Sequence, residues 1–263
     1  MTGTSPPPPP LPLHIPITID VNTTTPDSPT TTTTTSPPPP PPRLRIGVLL
    51  FPGFQALDVF GPLDVLNVLS WSTNTNTPDT LPSPTPPISL TLLSTTLTPI
   101  STLPPSLPNA LSQSILPTAT LTSSPPLDVL LIPGGWGTRA PLPEHIEYIR
   151  SVYPSLKYLL TVCTGGKLAA RAGVLDGKRA TTNKNDWESV VRDAPRVEWV
   201  REARWVVDKS AGVEVWSSAG VSAGVDLMFA WVESIWGEEV AGRVERVLEF
   251  RRWREGGRDP FVC

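Results

Sequence analysis

The stretch YLLTVCTGG, residues 158–166, decides the fold of this chain. Its apolar first half predicts a buried strand, and residues 167–173 have the composition of a helix. Between the two lies Cys163, followed after one residue by two glycines that permit a sharp turn. A strand, a tight turn and a helix in this order hold one side chain at the carboxyl end of a sheet.

Two interpretations of Cys163 follow from this setting. A free cysteine is usually a small buried hydrophobe. A cysteine just before a helix lies instead in the positive field of the helix terminus, which favours the thiolate and lowers the pKa. The turn favours the second interpretation, so we predict that Cys163 is a nucleophile.

The rest of the chain alternates between strand and helix patterns. Residues 198–207 and 213–218 are predicted to form an antiparallel pair, and residues 96–126 to hold small edge strands and loops. The expected strands are 45–51, 88–95, 127–132 and 158–162, and the expected helices are 56–69, 143–152, 167–173, 222–236 and 238–254. This order predicts an α/β fold with a mostly parallel sheet and helices on both faces.

Composition divides the chain into three parts. Residues 1–42 are dominated by Pro and Thr and predict a disordered N-terminal tail. Residues 43–255 are long enough for one α/β domain, and residues 256–263 are assigned to a C-terminal tail. The tail carries no Lys or Arg before Arg43, which argues against a secretory signal or a mitochondrial presequence.

Charge and cysteine usage exclude several classes of partner. The net charge is −3 and no basic stripe is present, so a nucleic-acid partner is not expected. No apolar run is long enough to span a membrane. Two cysteines make no disulfide framework, which indicates a reducing, cytoplasmic compartment. No group of His, Cys and carboxylates has the spacing of metal ligands, so neither a metal nor a cofactor is expected.

Five segments, in this order, resemble the ThiJ/PfpI (DJ-one) superfamily, which has the class I glutamine amidotransferase-like fold. They are residues 51–66, 130–137, 162–165, 172–182 and 218–226. The strings LDVFGP at 57–62 and CTG at 163–165 are most similar to the isonitrile hydratase branch, whereas the protease-like branch has His directly after the cysteine. Relatives of this fold are frequently dimers, so the resemblance implies a homodimer, with Val59, Phe60 and Leu63 as interface residues.

The resemblance implies a partner for the cysteine. Asp58 aligns with the acidic residue that the family places beside its nucleophile, where a buried carboxyl can hold or deliver a proton. The alternative is that Asp58 only caps or polarises the start of a helix.

Four further residues are candidates for the walls of the site. The turn Gly134-Gly135 and the amide of Thr164 are predicted to donate to developing negative charge. The alternative is that the glycines only permit a tight turn. Trp136 is expected to border the pocket as an apolar wall, or else to pack on the surface.

Histidine usage limits the chemistry. Of the two histidines, His14 falls in the tail and His145 is expected to be exposed on a helix. Many relatives carry His after the pair Thr-Thr, but here Asn183 follows Thr182, and an amide cannot take a proton near pH 7. Asn183 is therefore a candidate for orienting substrate or water, and glyoxalase, deglycase or protease activity is disfavoured.

Two functional hypotheses from different classes remain. The first is a cofactor-free cysteine enzyme that hydrates a small electrophile, most like an isonitrile, to an N-substituted formamide. The second is a non-catalytic or redox-responsive binding protein in which Cys163 is oxidised. A transcriptional regulator is a third idea, disfavoured because no helix-turn-helix pattern follows residue 237.

Deleting residues 1–42 should leave the melting temperature nearly unchanged, because Pro/Thr-rich segments add no packed core. Thermal melts of the full and the shortened chain test this. A drop of more than about 5 °C, roughly 1 kcal/mol or more for a domain of this size, would show instead that the tail docks on the domain.

Overall fold

The computed structural model describes residues 44–71 and 88–262. The predicted tail 1–42 lies outside the described residues, as does Cys263. Among the residues described, no helix has both the length and the apolar character that crossing a membrane requires.

Strands and helices alternate along the chain as the sequence predicts. The strands are β1 Leu44–Leu49, β2 Ile88–Ser94, β3 Ile100–Ser101, β4 Ser114–Ile115, β5 Ala119–Thr120, β6 Val129–Ile132, β7 Tyr158–Thr161, β8 Arg179–Ala180, β9 Glu198–Trp199, β10 Trp205–Asp208 and β11 Glu214–Ser218. The helices are α1 Ala56–Trp71, α2 Pro143–Val152, α3 Gly165–Arg171, α4 Trp187–Asp193, α5 Ser222–Trp236 and α6 Glu238–Val247.

Seven strands form the central sheet, in the order β10-β11-β7-β6-β1-β2-β5. All neighbours are parallel except β10 and β11. The inner strands β1, β6 and β7 are buried almost throughout, which explains their continuous apolar sequences. The predicted α/β fold with a mostly parallel sheet is confirmed.

Helices cover both faces of the sheet. A connection between parallel strands is right-handed, so the direction in which it crosses the sheet decides the face on which its helix lies. The connection from β1 to β2 thus places α1 on the first face. The connections from β6 to β7 and from β7 to β11 run the other way across the sheet, which puts α2 and α3 on the opposite face. Contacts agree with this division, because α1, α5 and α6 pack together and α2 packs against α3.

Two predicted elements are shorter in the structure. Of the predicted strand 198–207, only β10 at its end pairs antiparallel with β11, while β9 pairs in parallel with β8. The predicted helix 238–254 ends at Val247, because Glu249 adopts a positive φ of 48° and turns the chain inward. Phe250 then stacks on Phe229.

The chain after α6 packs back onto the domain. The carbonyl of Gly256 accepts hydrogen bonds from the amides of Arg204 and Trp205 at the start of β10. Asp259 is buried, and its amide donates to the carbonyl of Glu202 at 2.7 Å. This segment therefore forms part of the surface beside the ends of the strands.

The carboxyl ends of β1, β6, β7 and β11 meet at one edge of the sheet. The turns after these strands carry Gly53, Gly134, Cys163 and Gly220 respectively. The chain leaves β1 toward β2 on one side of the sheet, and it leaves β6 toward β7 on the other side. Such a reversal of strand order opens a crevice outside the carboxyl ends of the strands.

Candidate active site

Cys163 occupies a strained turn between β7 and α3. Its φ is +58°, in the left-handed region that a residue with a side chain rarely adopts. The backbone is fixed there on both sides: its amide donates to the carbonyl of Ala219 at 3.0 Å, and its carbonyl accepts from the Thr182 hydroxyl at 2.9 Å. The surrounding structure therefore maintains a conformation that points the sulfur at the edge of the sheet.

Two glycines make this turn sterically possible. A Cβ at Gly165 would lie 2.2 Å from the carbonyl oxygen of Ile132, and one at Gly134 would lie 2.5 Å from the amide nitrogen of Thr164. The turns after β6 and β7 are therefore in direct backbone contact. Neither glycine can be replaced without moving Cys163.

Asp58 reaches this turn from the third residue of α1. Its side chain is fully buried, and Oδ2 accepts a hydrogen bond from the amide of Gly134 at 2.8 Å. That amide belongs to another turn, so Asp58 does not cap its own helix. The other oxygen, Oδ1, is buried and accepts no well-formed hydrogen bond from the described residues.

Burial raises the pKa of Asp58 to about 7, although the hydrogen bonds with Gly134 and with the Cys163 side chain lower it. The carboxyl can therefore hold a proton at neutral pH and release it. This is the property that a general acid or base requires.

The thiol behaves differently from the prediction. Burial and, to a smaller extent, the neighbouring charge of Asp58 raise the pKa of Cys163 to about 12. Hydrogen bonds from the backbone of Val221 and Thr164 and from Asn183 lower it, without offsetting the burial. The expected low-pKa thiolate is wrong for the resting protein, since the side chain is only 6% exposed and α3 is only seven residues long.

Asn183 is a direct partner of the sulfur. Its Nδ2 donates to Cys163 Sγ at 3.1 Å, while its Oδ1 accepts the amides of Asn185 and Asp186. These two acceptor contacts fix which end of the amide faces the sulfur. A Cβ at Gly220 would lie 2.8 Å from Nδ2, so the glycine leaves room for this contact.

The predicted oxyanion donors are close by, but they already have acceptors. The amide of Gly134 donates to Asp58, and that of Gly135 donates to Thr164 Oγ1 at 3.0 Å. The buried hydroxyl of Thr138 donates to the same Oγ1 at 3.1 Å. The backbone amide of Thr164 donates a hydrogen bond to the Cys163 sulfur. Either glycine amide could therefore donate to a substrate only after its present hydrogen bond, to Asp58 or to Thr164, is broken.

Two aromatic residues make contacts with groups other than the sulfur. Trp136 is 49% exposed, donates from Nε1 to the Ser106 hydroxyl, and lies under Arg139 with 4.1 Å between guanidinium and ring centroid. His145, predicted to be exposed, is 4% exposed, with Nε2 3.1 Å from the carbonyl oxygen of Leu50. Burial lowers its pKa, so it serves as a packed, neutral side chain.

Sequence reasoning missed three contributors. The backbone of Val221 hydrogen-bonds the sulfur, and the hydroxyls of Thr138 and Thr182 fix the turn. Val221 lies in the segment 218–226, so the turn that contains it could be predicted from the sequence. Its contact with the sulfur is made by the backbone, and no side-chain pattern predicts such a contact. Among the described residues, no group of three or more His, Cys, Asp or Glu could hold a metal ion.

Asp58→Asn should stabilise the protein at pH 8 but much less at pH 4.5. The folded pKa of about 7 exceeds the ordinary value of 3.8, so stability falls as pH rises between the two values. A neutral isostere avoids this loss, which amounts to about 4 kcal/mol at most between an ordinary pKa of 3.8 and the folded pKa of about 7. Thermal melts at both pH values, with exposed Asp64→Asn as the control, measure it. An equal effect of Asp58→Asn at both pH values would contradict the buried, raised carboxyl.

Asp58→Asn should also accelerate alkylation of Cys163, because it removes a charge that raises the thiol pKa. Iodoacetamide labelling at pH 8 in a Cys263→Ser background should show an increase of up to about tenfold. Asn183→Leu, which removes a hydrogen bond to the sulfur, should slow the same reaction. Unchanged rates in both variants would show that neither group acts on the thiol.

Comparison with known proteins identifies relatives of this chain. The DJ-1/PfpI family matches residues 44–234. The chain is 31% identical over 212 residues to an isonitrile hydratase of Pseudomonas putida, which covers 79% of this chain and 78% of that protein. A 141-residue part is 26% identical to the HTH-type transcriptional regulator GbdR of Pseudomonas aeruginosa, and covers 53% of this chain but 37% of the regulator.

Solved structures show the same fold. A ThiJ/PfpI family protein from Pseudomonas syringae superposes with a TM-score of 0.63 at 22% identity, covering 88% of this chain and 86% of that chain. Drosophila melanogaster DJ-1beta superposes with a TM-score of 0.59 at 18% identity, covering 80% and 99%. The match over residues 44–234, which includes the cysteine turn, shows that this chain belongs to the DJ-1/PfpI family.

Proposed function

We propose that this protein hydrates an isonitrile to an N-substituted formamide, with Cys163 as the nucleophile and Asp58 as the acid. One observation carries the proposal: a fully buried carboxyl with a pKa of about 7 lies beside a buried thiol at the crevice. The 31% identity to an isonitrile hydratase supports the choice of substrate.

The first step forms a thioimidate. The terminal carbon of an isonitrile is basic, and protonation there makes it electrophilic. Asp58 gives its proton to this carbon while the sulfur of Cys163 attacks it and the thiol proton passes to the carboxylate. A C–H and a C–S bond form, the S–H bond breaks, and Asp58 ends protonated as it began.

Water completes the reaction. It adds to the carbon of the thioimidate, and its protons end on the substrate nitrogen and, through Asp58, on the departing sulfur. Cleavage of the C–S bond releases the formamide and restores the thiol. The net change is the addition of one water, so no redox partner or cofactor is required.

A protonated resting thiol fits this sequence of steps. Its attack is coupled to proton transfer, so a free thiolate is not needed beforehand. The rival hypothesis, a redox-responsive cysteine, depends on a low-pKa exposed thiolate. Burial of Cys163 and its raised pKa disfavour that alternative.

We propose that the partner of this protein is a small molecule and not DNA. The relatives include a transcriptional regulator, of which the matched part covers 37%. We also propose a cytoplasmic homodimer. Of the residues expected at its interface, Val59 and Leu63 are buried within the protomer, which leaves the exposed Phe60, with Leu57 beside it.

Activity should fall as Asp58 loses its proton. For an isonitrile that is accepted, kcat/KM should be level below pH 7 and fall about tenfold per unit above it, because the acid form is the reactive one. Asp58→Asn should lower kcat roughly a hundredfold or more, and Cys163→Ala should abolish turnover. Asp64→Asn on the exposed face of α1 is the matched control.

Asn183→His should change the rate much less than Asp58→Asn, since the proton route runs through the carboxyl. Formamide release followed by gas chromatography gives all of these rates. Full activity of Asp58→Asn, or a rate that rises above pH 7, would contradict the assigned acid.

A further inference from the structure

An ion pair joins two segments that lie beside the sulfur. Arg139 ends the short helix Trp136–Arg139, which follows the turn after β6, and Asp186 immediately precedes α4 in the segment that carries Asn183. Nη2 of Arg139 donates to both carboxylate oxygens of Asp186, at 2.7 Å each. The pair therefore connects the turn after β6 to the segment after β8.

The Arg139 end of this pair is fixed by α3. Arg171, in the last turn of α3, donates to the carbonyl oxygens of Thr138 and Ala140, at 3.3 and 2.9 Å. These two carbonyls flank Arg139 in the chain. Its guanidinium also lies over the ring of Trp136, 4.1 Å from the centroid. Because α3 begins directly after the cysteine turn, Arg139 is held in place relative to the residue that carries the sulfur.

The Asp186 end holds Asn183 through the backbone. The amide of Asp186 donates to Asn183 Oδ1 at 3.1 Å, next to the amide of Asn185 at 2.8 Å. Held in this way, Asn183 directs its Nδ2 at the Cys163 sulfur, 3.1 Å away. The position of the Asp186 backbone thus determines whether the sulfur has this donor.

The carboxylate of Asp186 is not used where its position in the chain predicts. An Asp at the residue before a helix commonly accepts a hydrogen bond from an amide of the first turn. Here the side chain makes no such bond with α4 and contacts Arg139 instead. The ion pair is therefore the contact through which this side chain fixes the position of its own backbone amide.

The segment that carries Asn183 is anchored on two sides. On one side, Lys184 donates from Nζ to Thr181 Oγ1 at 2.7 Å and to the carbonyl of Ala203 at 2.8 Å. On the other side, the anchor is the ion pair of Asp186. Loss of the pair leaves the first anchor in place and releases the amide that holds Asn183 Oδ1.

We propose that Arg139 and Asp186 are positioning residues for the thiol, and that their ion pair keeps the Nδ2 donor of Asn183 on the Cys163 sulfur. The pair acts on the sulfur through Asn183. This proposal goes beyond the proposed function, because it concerns how the thiol is held and does not depend on which molecule the thiol attacks.

Alkylation of Cys163 tests the proposal without turnover. In a Cys263→Ser background at pH 8, Arg139→Gln and Asp186→Asn should each slow the reaction with iodoacetamide about threefold, because a hydrogen bond that stabilises the developing thiolate is weakened. Asp186→Asn leaves the guanidinium of Arg139 over Trp136, so equal slowing in the two variants assigns the effect to the ion pair. Arg139→Lys should retain most of the wild-type rate, since one nitrogen serves both oxygens.

An Asn183→Leu background separates positioning from a general effect on the fold. The donor is already absent there, so Arg139→Gln should change the alkylation rate by less than about 1.5-fold. A threefold change in this background as well would overturn the proposal, because the pair would then act on the thiol by another route. A rate that rises in Arg139→Gln or Asp186→Asn would overturn it too.

Arg196→Gln is the matched control. Arg196 donates from Nε to Asp176 Oδ2 at 2.8 Å, in an exposed ion pair between the chain after α3 and the chain after α4. This variant should alkylate at the wild-type rate. Melting temperatures should fall by less than about 3 °C in all of these variants, since a partly exposed ion pair adds little stability.

The measurements keep this proposal apart from the proposed function. If no isonitrile is hydrated but Arg139→Gln slows alkylation only where Asn183 is present, the positioning role stands and the proposed function falls. If isonitriles are hydrated and alkylation is equally fast in wild type, Arg139→Gln and Asp186→Asn, the proposed function stands and the positioning role is overturned.

Discussion

The site depends on one constraint, the burial of a carboxyl and a thiol side by side with no described cation contributing to the pKa of either. An ionised carboxylate in such a place loses hydration that a single amide hydrogen bond does not replace. The pair therefore rests with the thiol protonated and the carboxyl near its midpoint at neutral pH. The backbone contacts among the turns after β1, β6 and β7 serve to hold this costly pair together.

Those contacts explain why glycine recurs at the strand ends. Besides Gly134 and Gly165, which bring two turns into contact at Cys163, Gly135 connects the third turn. Its φ is +127°, and a Cβ there would lie 2.4 Å from the carbonyl oxygen of Gly53. The amide of Gln55, just before α1, also donates to the carbonyl of Gly134 at 2.8 Å. The start of α1 is thereby tied to the turn that receives Asp58.

The sequence was sufficient for the fold because continuous apolar strands and glycine turns are local signals. It was sufficient to bring Asp58, Asn183 and Cys163 together, through the resemblance that orders them along the chain. It was not sufficient for their charge states, since the pKa of Cys163 depends on burial by residues from distant segments. The position of a helix terminus can be predicted from a sequence. The burial of the thiol cannot, and its effect on the pKa of Cys163 outweighs that of the helix terminus. His145 shows the same limit: a polar residue on a helix looks exposed until the fold places the carbonyl of Leu50 above it.

An amide beside the sulfur, at Asn183, limits what the site can do. A histidine can take the thiol proton and leave a reactive thiolate at rest. The NH2 group of Asn183 can only donate to the sulfur, so it stabilises negative charge there once that charge develops and does not create it beforehand. In the mechanism that we propose, all proton movement then falls to Asp58, which is the titrating group at the sulfur with a pKa near neutrality among the residues that the structure describes. A thiol arranged in this way is poorly reactive toward oxidants and alkylating agents. In the mechanism that we propose, the thiol becomes a nucleophile when a substrate can accept a proton as the bond to sulfur forms, and the basic carbon of an isonitrile meets that requirement.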